Sequence, residues 1–214
     1  MLRLGPPSGD AGGTPRDAPL PAPPERIGHL LILGTSLTHR ETWPEALADR
    51  LEACTGIRPA IEVIARNGAT SGWGAARMAE RDGPPPDAAL VEFGVNDADR
   101  LDGLSPAESR AAHAAILAAL PGVPVVVMRM NPAFGARGWT RLGRGAREDA
   151  IAGGARAAGA GTLDLDRRWR LRWREGGWRA EMPDGLHPNP RAAAAVIAPA
   201  AAAILVPGCP EEAP

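Results

Sequence analysis

An α/β fold is predicted here: a three-layer α/β/α sandwich on a five-stranded parallel sheet in flavodoxin-like order. Three features of the 214-residue sequence point to it. Short apolar runs rich in Val, Ile and Leu alternate with longer amphipathic or alanine-rich stretches, the pattern of strands joined through crossover helices. The runs are apolar almost throughout, as strands covered on both faces are. Right-handed crossovers between parallel strands then leave a small set of doubly wound orders. The length suits one domain, which would bury roughly 70% of its unfolded surface.

Residues 1–27 are mostly Pro, Gly and small polar side chains with little to pack, so a disordered tail is expected there. The folded domain is expected over 28–206 and a flexible tail over 207–214. "HLLILG" (29–34) reads as the first strand. "TWPEALADRLEAC" (42–54) reads as a helix opened by Thr42, with Glu45 at capping-box spacing. "AIEVIAR" (60–66) is the second strand, "SGWGAARMAERD" (71–82) the second helix and "DAALVEFG" (87–94) the third strand. Ser105, Pro106 and Glu108 form another capping box and open a helix over 106–120. "VPVVVMRM" (123–130) is the fourth and most apolar strand. A glycine-containing helix follows over 143–158, then a short fifth strand, "GTLDLD" (161–166). The last helix covers 190–205, with Asn189 as its cap and Pro190 in its first turn.

Composition mainly excludes. Twenty-four basic and 25 acidic residues leave a net charge of −1, so no general attraction to nucleic acid or to a membrane surface is expected. All the basic residues are arginine, and Lys, Tyr and Gln are absent, a bias of GC-rich codon usage that weakens any argument from arginine abundance. Cys54 and Cys209 make neither a disulfide framework nor a metal signature, so two reduced thiols and a cytoplasmic location are expected. The first residues lack the apolar core of a signal peptide, and no membrane-spanning segment is expected.

In open parallel sheets, function collects outside the carboxyl ends of the strands. The first strand ends in "GTSLT", where Gly34 permits a tight turn and Ser36 projects just before a helix. The second ends in "RNGATS" with Gly68, and the third in "GVNDAD" with Asn96. Late in the chain, "PDGLHPN" carries Asp184 and His187. Taken singly, Ser36 is a cap, Asn96 and Asp97 are turn formers, and Asp184 is a loop residue. Together, a hydroxyl, an imidazole and a carboxylate are the parts of a nucleophilic triad. Gly68 and Asn96 add a backbone N–H and a side-chain amide suited to an oxyanion.

The four blocks "ILGTSLT", "RNGATS", "FGVNDA" and "PDGLHPN", in this order from about Gly28 to Leu205, resemble the SGNH hydrolases, also called the GDSL esterase/lipase family. The resemblance implies Ser36 as nucleophile, His187 as general base and then acid, and Asp184 as the group that orients the imidazole. It implies an oxyanion hole from the Ser36 and Gly68 N–H groups and the Asn96 side chain. The family pattern has aspartate where Thr35 stands, which puts in question how this turn is held. A small-molecule acyl ester is the implied substrate, and neither a metal nor an organic cofactor is required.

Trp169 and Trp173, four residues apart in "RRWRLRWREGGWRAEM" (167–182), would share a helix face and pack onto the body. Phe134 and Trp139, with Trp178 or Arg179, are candidates for a substrate rim. His39 reads as an exposed loop residue near Ser36; His29 and His113 read as structural or surface residues. Within ester hydrolysis, short acyl groups such as O-acetyl groups on carbohydrates compete with lysophospholipid or thioester substrates and with acyl transfer. From a different class, "GTSLTHRET" would be the phosphate loop of a flavodoxin-like FMN-binding module. Such a loop should be richer in glycine, and it leaves "DGLHPN" unexplained.

Overall fold

Successive residues of a strand face opposite sides of a sheet, and Leu30, Leu31, Ile32 and Leu33 all have no solvent exposure. The chain around them must therefore supply two apolar layers. The computed structural model, which describes residues 17–39, 41–174 and 177–211, contains both. Strands β1 (His29–Gly34), β2 (Ala60–Ala65), β3 (Ala88–Val91), β4 (Val125–Arg129) and β5 (Gly161–Asp164) pair in parallel in the order β2-β1-β3-β4-β5. This is the flavodoxin-like order that the alternating pattern predicts.

The helices are α1 (Trp43–Thr55), α2 (Ser71–Glu80), α3 (Gly94–Asp97), α4 (Pro106–Ala118), α5 (Gly135–Trp139), α6 (Arg144–Ala157), α7 (Leu165–Arg172), α8 (Trp178–Glu181) and α9 (Pro190–Leu205). The period of two divides the core. Leu30, Ile32, Leu90, Val126 and Leu163 pack with Leu47 and Leu51 of α1, Trp169 of α7 and Val196 and Ile197 of α9. Leu31, Leu33, Val91 and Val127 pack with Met78 of α2, Ile116 of α4 and Ile151 of α6. β2 lies at one edge of the sheet, and Val63 there is 43% exposed.

Local signals are honoured unevenly. Ser105 Oγ accepts from the Glu108 N–H (3.2 Å), Glu108 accepts from the Ser105 N–H (2.8 Å), and Asn189 accepts from the Ala192 N–H (2.9 Å). The capping box expected at Thr42 does not form. Thr42 already has helical backbone angles (φ −91°, ψ −11°), and its hydroxyl donates to the Pro190 carbonyl instead. β3 stops at Val91, short of the expected Gly94, because the Phe93–Asp97 backbone winds into α3. Trp169 in α7 and Trp173 at its C-cap are both buried, with ring centroids 4.7 Å apart.

The described parts of both tails, residues 17–27 and 207–211, make contacts with the domain. Residues 1–16 lie outside the described residues, but Leu20 and Ile27 are buried. Ala18 forms an antiparallel bridge with Thr162, and Asp17 accepts from the Asp164 N–H (2.6 Å). This covers β5, whose open edge would otherwise leave a row of unpaired backbone groups.

At the other end Cys209 is buried and disulfide-bonded to Cys54 at the end of α1, with Cα atoms 5.6 Å apart. The expected reduced thiols are therefore absent. The tail is pinned as far as Glu211, which pairs with Arg168 (2.5 Å). The bond spans 155 residues, so on loop-closure grounds Cys54→Ser costs about 2–5 kcal/mol of stability. Thermal unfolding should then move down by roughly 5–15 °C. Two free thiols in the native, non-reduced protein would sink this expectation. Among the described residues, no helix is long and apolar enough to cross a membrane.

Candidate active site

β1 delivers the chain to a turn, Gly34–Thr38, at the carboxyl edge of the sheet. Gly34 cannot carry a side chain there, because a Cβ would collide with the Glu92 carboxylate and with Thr38. Glu92, just past the end of β3, has no solvent exposure. It accepts from the Thr35 N–H (2.6 Å), the Thr35 hydroxyl (3.0 Å) and the Thr38 hydroxyl (2.7 Å). Burial pushes its pKa up to about 7, against the pull of those donors and of the Arg144 charge. The buried Trp43 of α1 also donates to the turn, through its indole N–H to the Leu37 carbonyl (2.8 Å). Ser36 is half-buried at the top of this braced turn.

Asp184 and His187 come from the loop between α8 and α9. Asp184 Oδ1 accepts from the backbone N–H groups of Leu186 (2.9 Å) and His187 (2.8 Å), which closes the loop on itself. Its Oδ2 lies 2.6 Å from His187 Nδ1, and His187 Nε2 lies 2.8 Å from Ser36 Oγ. A carboxylate only accepts, so the imidazole proton is assigned to Nδ1 and the Nε2 lone pair to the serine hydroxyl. Burial raises the Asp184 pKa, but the bonds from His187 and Leu186 outweigh it and bring it down to about 2. Such a relay can draw a proton from a hydroxyl and return it to a leaving group.

The loop is held from outside as well. The Phe134 N–H donates to the Gly185 carbonyl (2.8 Å), and the buried Asn131 amide donates to the Leu186 carbonyl (2.7 Å). Arg144 in turn donates to the Asn131 and Met130 carbonyls at the end of β4. Gly185, at φ +77°, takes a left-handed conformation that favours glycine, and a Cβ there would meet the Phe134 carbonyl at 2.6 Å.

Gly68 and Asn96 stand beside Ser36 around one cleft of about 520 Å³. Gly68 turns the chain after β2 with φ +72°. The Asn96 side chain donates to the Ala69 carbonyl (3.0 Å), and its oxygen faces Arg141 Nη2 at 3.4 Å. That leaves one amide N–H for a ligand. Asp97 ties the two segments together: it accepts from the Ser71 N–H (2.8 Å) and from the Ser71 and Ser109 hydroxyls (2.6 Å each). The cleft walls are polar, with Glu41, Asn67, Asp99, Asp102, Arg137 and Arg141 among them. Burial raises the Glu41 pKa, opposed by the nearby His187. His39 also lines this cleft, so it is more than an exposed loop residue. A second cavity of about 480 Å³ opens between α6 and the β4–β5 side of the sheet, and none of Ser36, Asp184 and His187 lines it.

The expected aromatic rim is not assembled. Phe134 stacks on Trp178 (4.5 Å) and meets Trp173 edge-on (5.9 Å), so the aromatic run folds back onto the body. Trp139 is 70% exposed on α5, and none of Phe134, Trp139 and Trp178 lines the cleft. Arg179 lies over the Trp178 ring. Arg168, Arg170 and Arg172 are paired with Glu211, Asp166 and Glu181. Among the described residues, no group of three or more His, Cys, Asp or Glu side chains is arranged to hold a metal ion.

Sequence reasoning missed Glu92, Asn131, Arg141 and the bracing role of Asp97. Glu92 had a signal: a carboxylate inside a run otherwise buried on both faces needs dedicated partners. Arg141 and Asn131 had none, because their partners are distant in sequence.

A model of the GDSL-like lipase/acylhydrolase family matches residues 32–195. No curated protein matches the chain. Among solved structures, an acetylxylan esterase from Geobacillus stearothermophilus aligns with 84% of this chain and 96% of its own at a TM-score of 0.67 and 18% identity. A variant described as an acetyl-xylooligosaccharide esterase aligns over 87% and 99% at 0.71 and 17%. An α/β hydrolase enzyme from the metagenome of Lake Arreo, Spain, aligns over 86% and 97% at 0.67 and 22%. Variants of the Geobacillus esterase altered at a serine, an aspartate and a histidine are described as catalytic mutants. At these identities the likeness is one of fold.

Proposed function

We propose that the chain, which belongs to the GDSL-like lipase/acylhydrolase family, is a serine ester hydrolase that cleaves short acyl esters, O-acetyl groups on carbohydrates above all. The observation that carries this reading is the continuous hydrogen-bonded line from Ser36 Oγ through His187 to Asp184. His187 Nε2 takes the hydroxyl proton as Ser36 Oγ attacks the ester carbonyl carbon. The carbonyl oxygen gains the negative charge and is held by the Ser36 and Gly68 N–H groups and the Asn96 amide. His187 then protonates the leaving alcohol as the C–O bond breaks, which leaves an acyl-serine. Water, deprotonated by the same imidazole, releases the acid and restores Ser36.

The walls of the cleft support the substrate class. Carboxylates, guanidinium groups and amides suit a hydroxyl-rich alcohol portion, and Phe134 and Trp178 stack on each other rather than line the cleft. The catalytic serine, aspartate and histidine described for the Geobacillus esterase are the same three residue types. The Cys54–Cys209 bond fits an oxidising compartment.

Incubation with a fluorophosphonate followed by peptide mass spectrometry should place the adduct on Ser36. The p-nitrophenyl acetate and butyrate esters should turn over well ahead of the octanoate, and acetylated xylo-oligosaccharides should release acetate. An adduct elsewhere would remove Ser36 as nucleophile. A preference for octanoate would leave the nucleophile standing and remove the short-acyl assignment.

A further inference from the structure

We infer that Glu92 is a positioning residue for the nucleophile: it clamps the two threonines that flank Ser36 and so sets where the serine hydroxyl and N–H point. The inference rests on the esterase reading of this site and goes beyond it. Glu92 does not touch Ser36. Its contacts are with Thr35, one residue before, and Thr38, two residues after. A clamp on both sides of one residue fixes that residue's backbone more firmly than a contact on one side. It also acts on two groups at once, because Ser36 would supply both the attacking oxygen and an oxyanion N–H.

The surroundings are shaped for this contact. The Glu92 N–H bonds the Leu33 carbonyl (2.9 Å), which holds its backbone beside the last residues of β1. Gly34 leaves open the space that the carboxylate occupies. Thr35 Oγ1 accepts from the Leu37 N–H (3.1 Å) while it donates to Glu92, so the turn is bonded within itself and to the residue that follows β3. A fully buried carboxylate is costly to desolvate, and here its compensation comes from two hydroxyls and one N–H of the nucleophile turn. An apolar residue would pack at this position without that cost, but it would leave Thr35 and Thr38 without their acceptor. The arrangement serves the geometry of the turn.

Four variants of the full chain test the inference: Glu92→Ala, Glu92→Gln, Thr38→Val, and Glu92→Ala combined with Thr38→Val. Each is checked for native fold by circular dichroism, then assayed for kcat and KM on p-nitrophenyl acetate and for the rate of phosphonylation of Ser36. Misplacing a nucleophile by a fraction of an ångström to 1 Å costs up to about 100-fold, so Glu92→Ala should lower kcat about 10- to 100-fold. KM should stay within about twofold, since ground-state binding is untouched. Phosphonylation should slow in parallel with kcat. Glu92→Gln keeps an acceptor oxygen in place and should recover kcat to within about threefold of the native rate.

Thr38→Val should slow phosphonylation by about three- to tenfold, and should add nothing on top of Glu92→Ala, as expected of groups that act as one unit. If Glu92→Ala does not fold, Thr38→Val and Glu92→Gln carry the test. A folded Glu92→Ala, or a folded Thr38→Val, that phosphonylates at the native rate would overturn the inference. So would a Glu92→Gln protein as slow as Glu92→Ala. Failure of the esterase reading looks different: Ser36 would then not be the labelled residue in the native protein.

Discussion

Under the proposed mechanism Ser36→Ala should lower kcat on p-nitrophenyl acetate by about four to six orders of magnitude, or roughly 5–8 kcal/mol of barrier. The variant keeps the proposed oxyanion donors but loses the hydroxyl that His187 Nε2 contacts at 2.8 Å. What rate remains comes from binding and from water attack in a polar cleft. The fold should survive, because Ser36 is half-buried and gives up one hydrogen bond, worth about 1 kcal/mol. His187→Ala should fall to a similar rate, and the double variant no further, because the nucleophile is useless without its base. Steady-state turnover checks this, provided active-site titration excludes carry-over of native protein. A Ser36→Ala protein within tenfold of native would remove the serine mechanism altogether.

What the sequence revealed of this site depended on the range of the interactions. β1, α1, α4 and α9 could be placed because their signals are local: apolar runs, Ser105 with Glu108, and Asn189 before Pro190. Ser36, Gly68 and Asn96 could be picked out because each follows the end of a strand, and Asp184 and His187 by their spacing in the loop before α9; the structure places Ser36, Gly68, Asn96 and His187 around one cleft, with Asp184 bonded to His187. The braces were not legible. Asn131 reaches the Leu186 carbonyl across 55 residues, and Arg141 reaches Asn96 across 45, with no pattern in the intervening chain to announce either.

The misplaced readings have the same origin. Phe134 and Trp178 neighbour site residues in the chain, but aromatic surface is satisfied by any apolar neighbour, and Phe134 packs on Trp178 and Trp173, while Trp139 stands exposed. Cys54 and Cys209, two thiols 155 residues apart, carry no spacing signal. They meet because α1 packs along α9, a contact that exists only once both crossovers are made. Thr42 shows that even a local signal yields when the tertiary structure offers another partner, here the Pro190 carbonyl.

Asp184→Asn separates the two tasks of this carboxylate. Oδ1 shapes the loop by accepting from the Leu186 and His187 N–H groups, and an asparagine oxygen can do the same. Oδ2 accepts the proton of His187 Nδ1, and an amide NH₂ in its place cannot. The imidazole would then take the other tautomer and present N–H to Ser36 where a lone pair is needed. The expected loss in kcat is about 10⁴-fold with the loop intact, as follows from a base held in the wrong tautomer. Asp184→Ala removes both tasks and should also lower thermal stability. The pH dependence of stability gives an independent check. The Asp184 pKa falls from its ordinary 3.8 to about 2 in the folded protein. Its contribution is therefore present above pH 3.8 and is lost as pH falls from there toward 2. The stability difference between the native protein and Asp184→Asn should narrow across that window and stay level above it. Because Asp184 is ionised throughout the neutral and mildly acidic range, loss of native activity in mild acid must come from another group. A difference in stability that widens as the pH falls below 3.8 would mean that Asp184 is not held as a bonded carboxylate, and the relay from Ser36 would lose its last member.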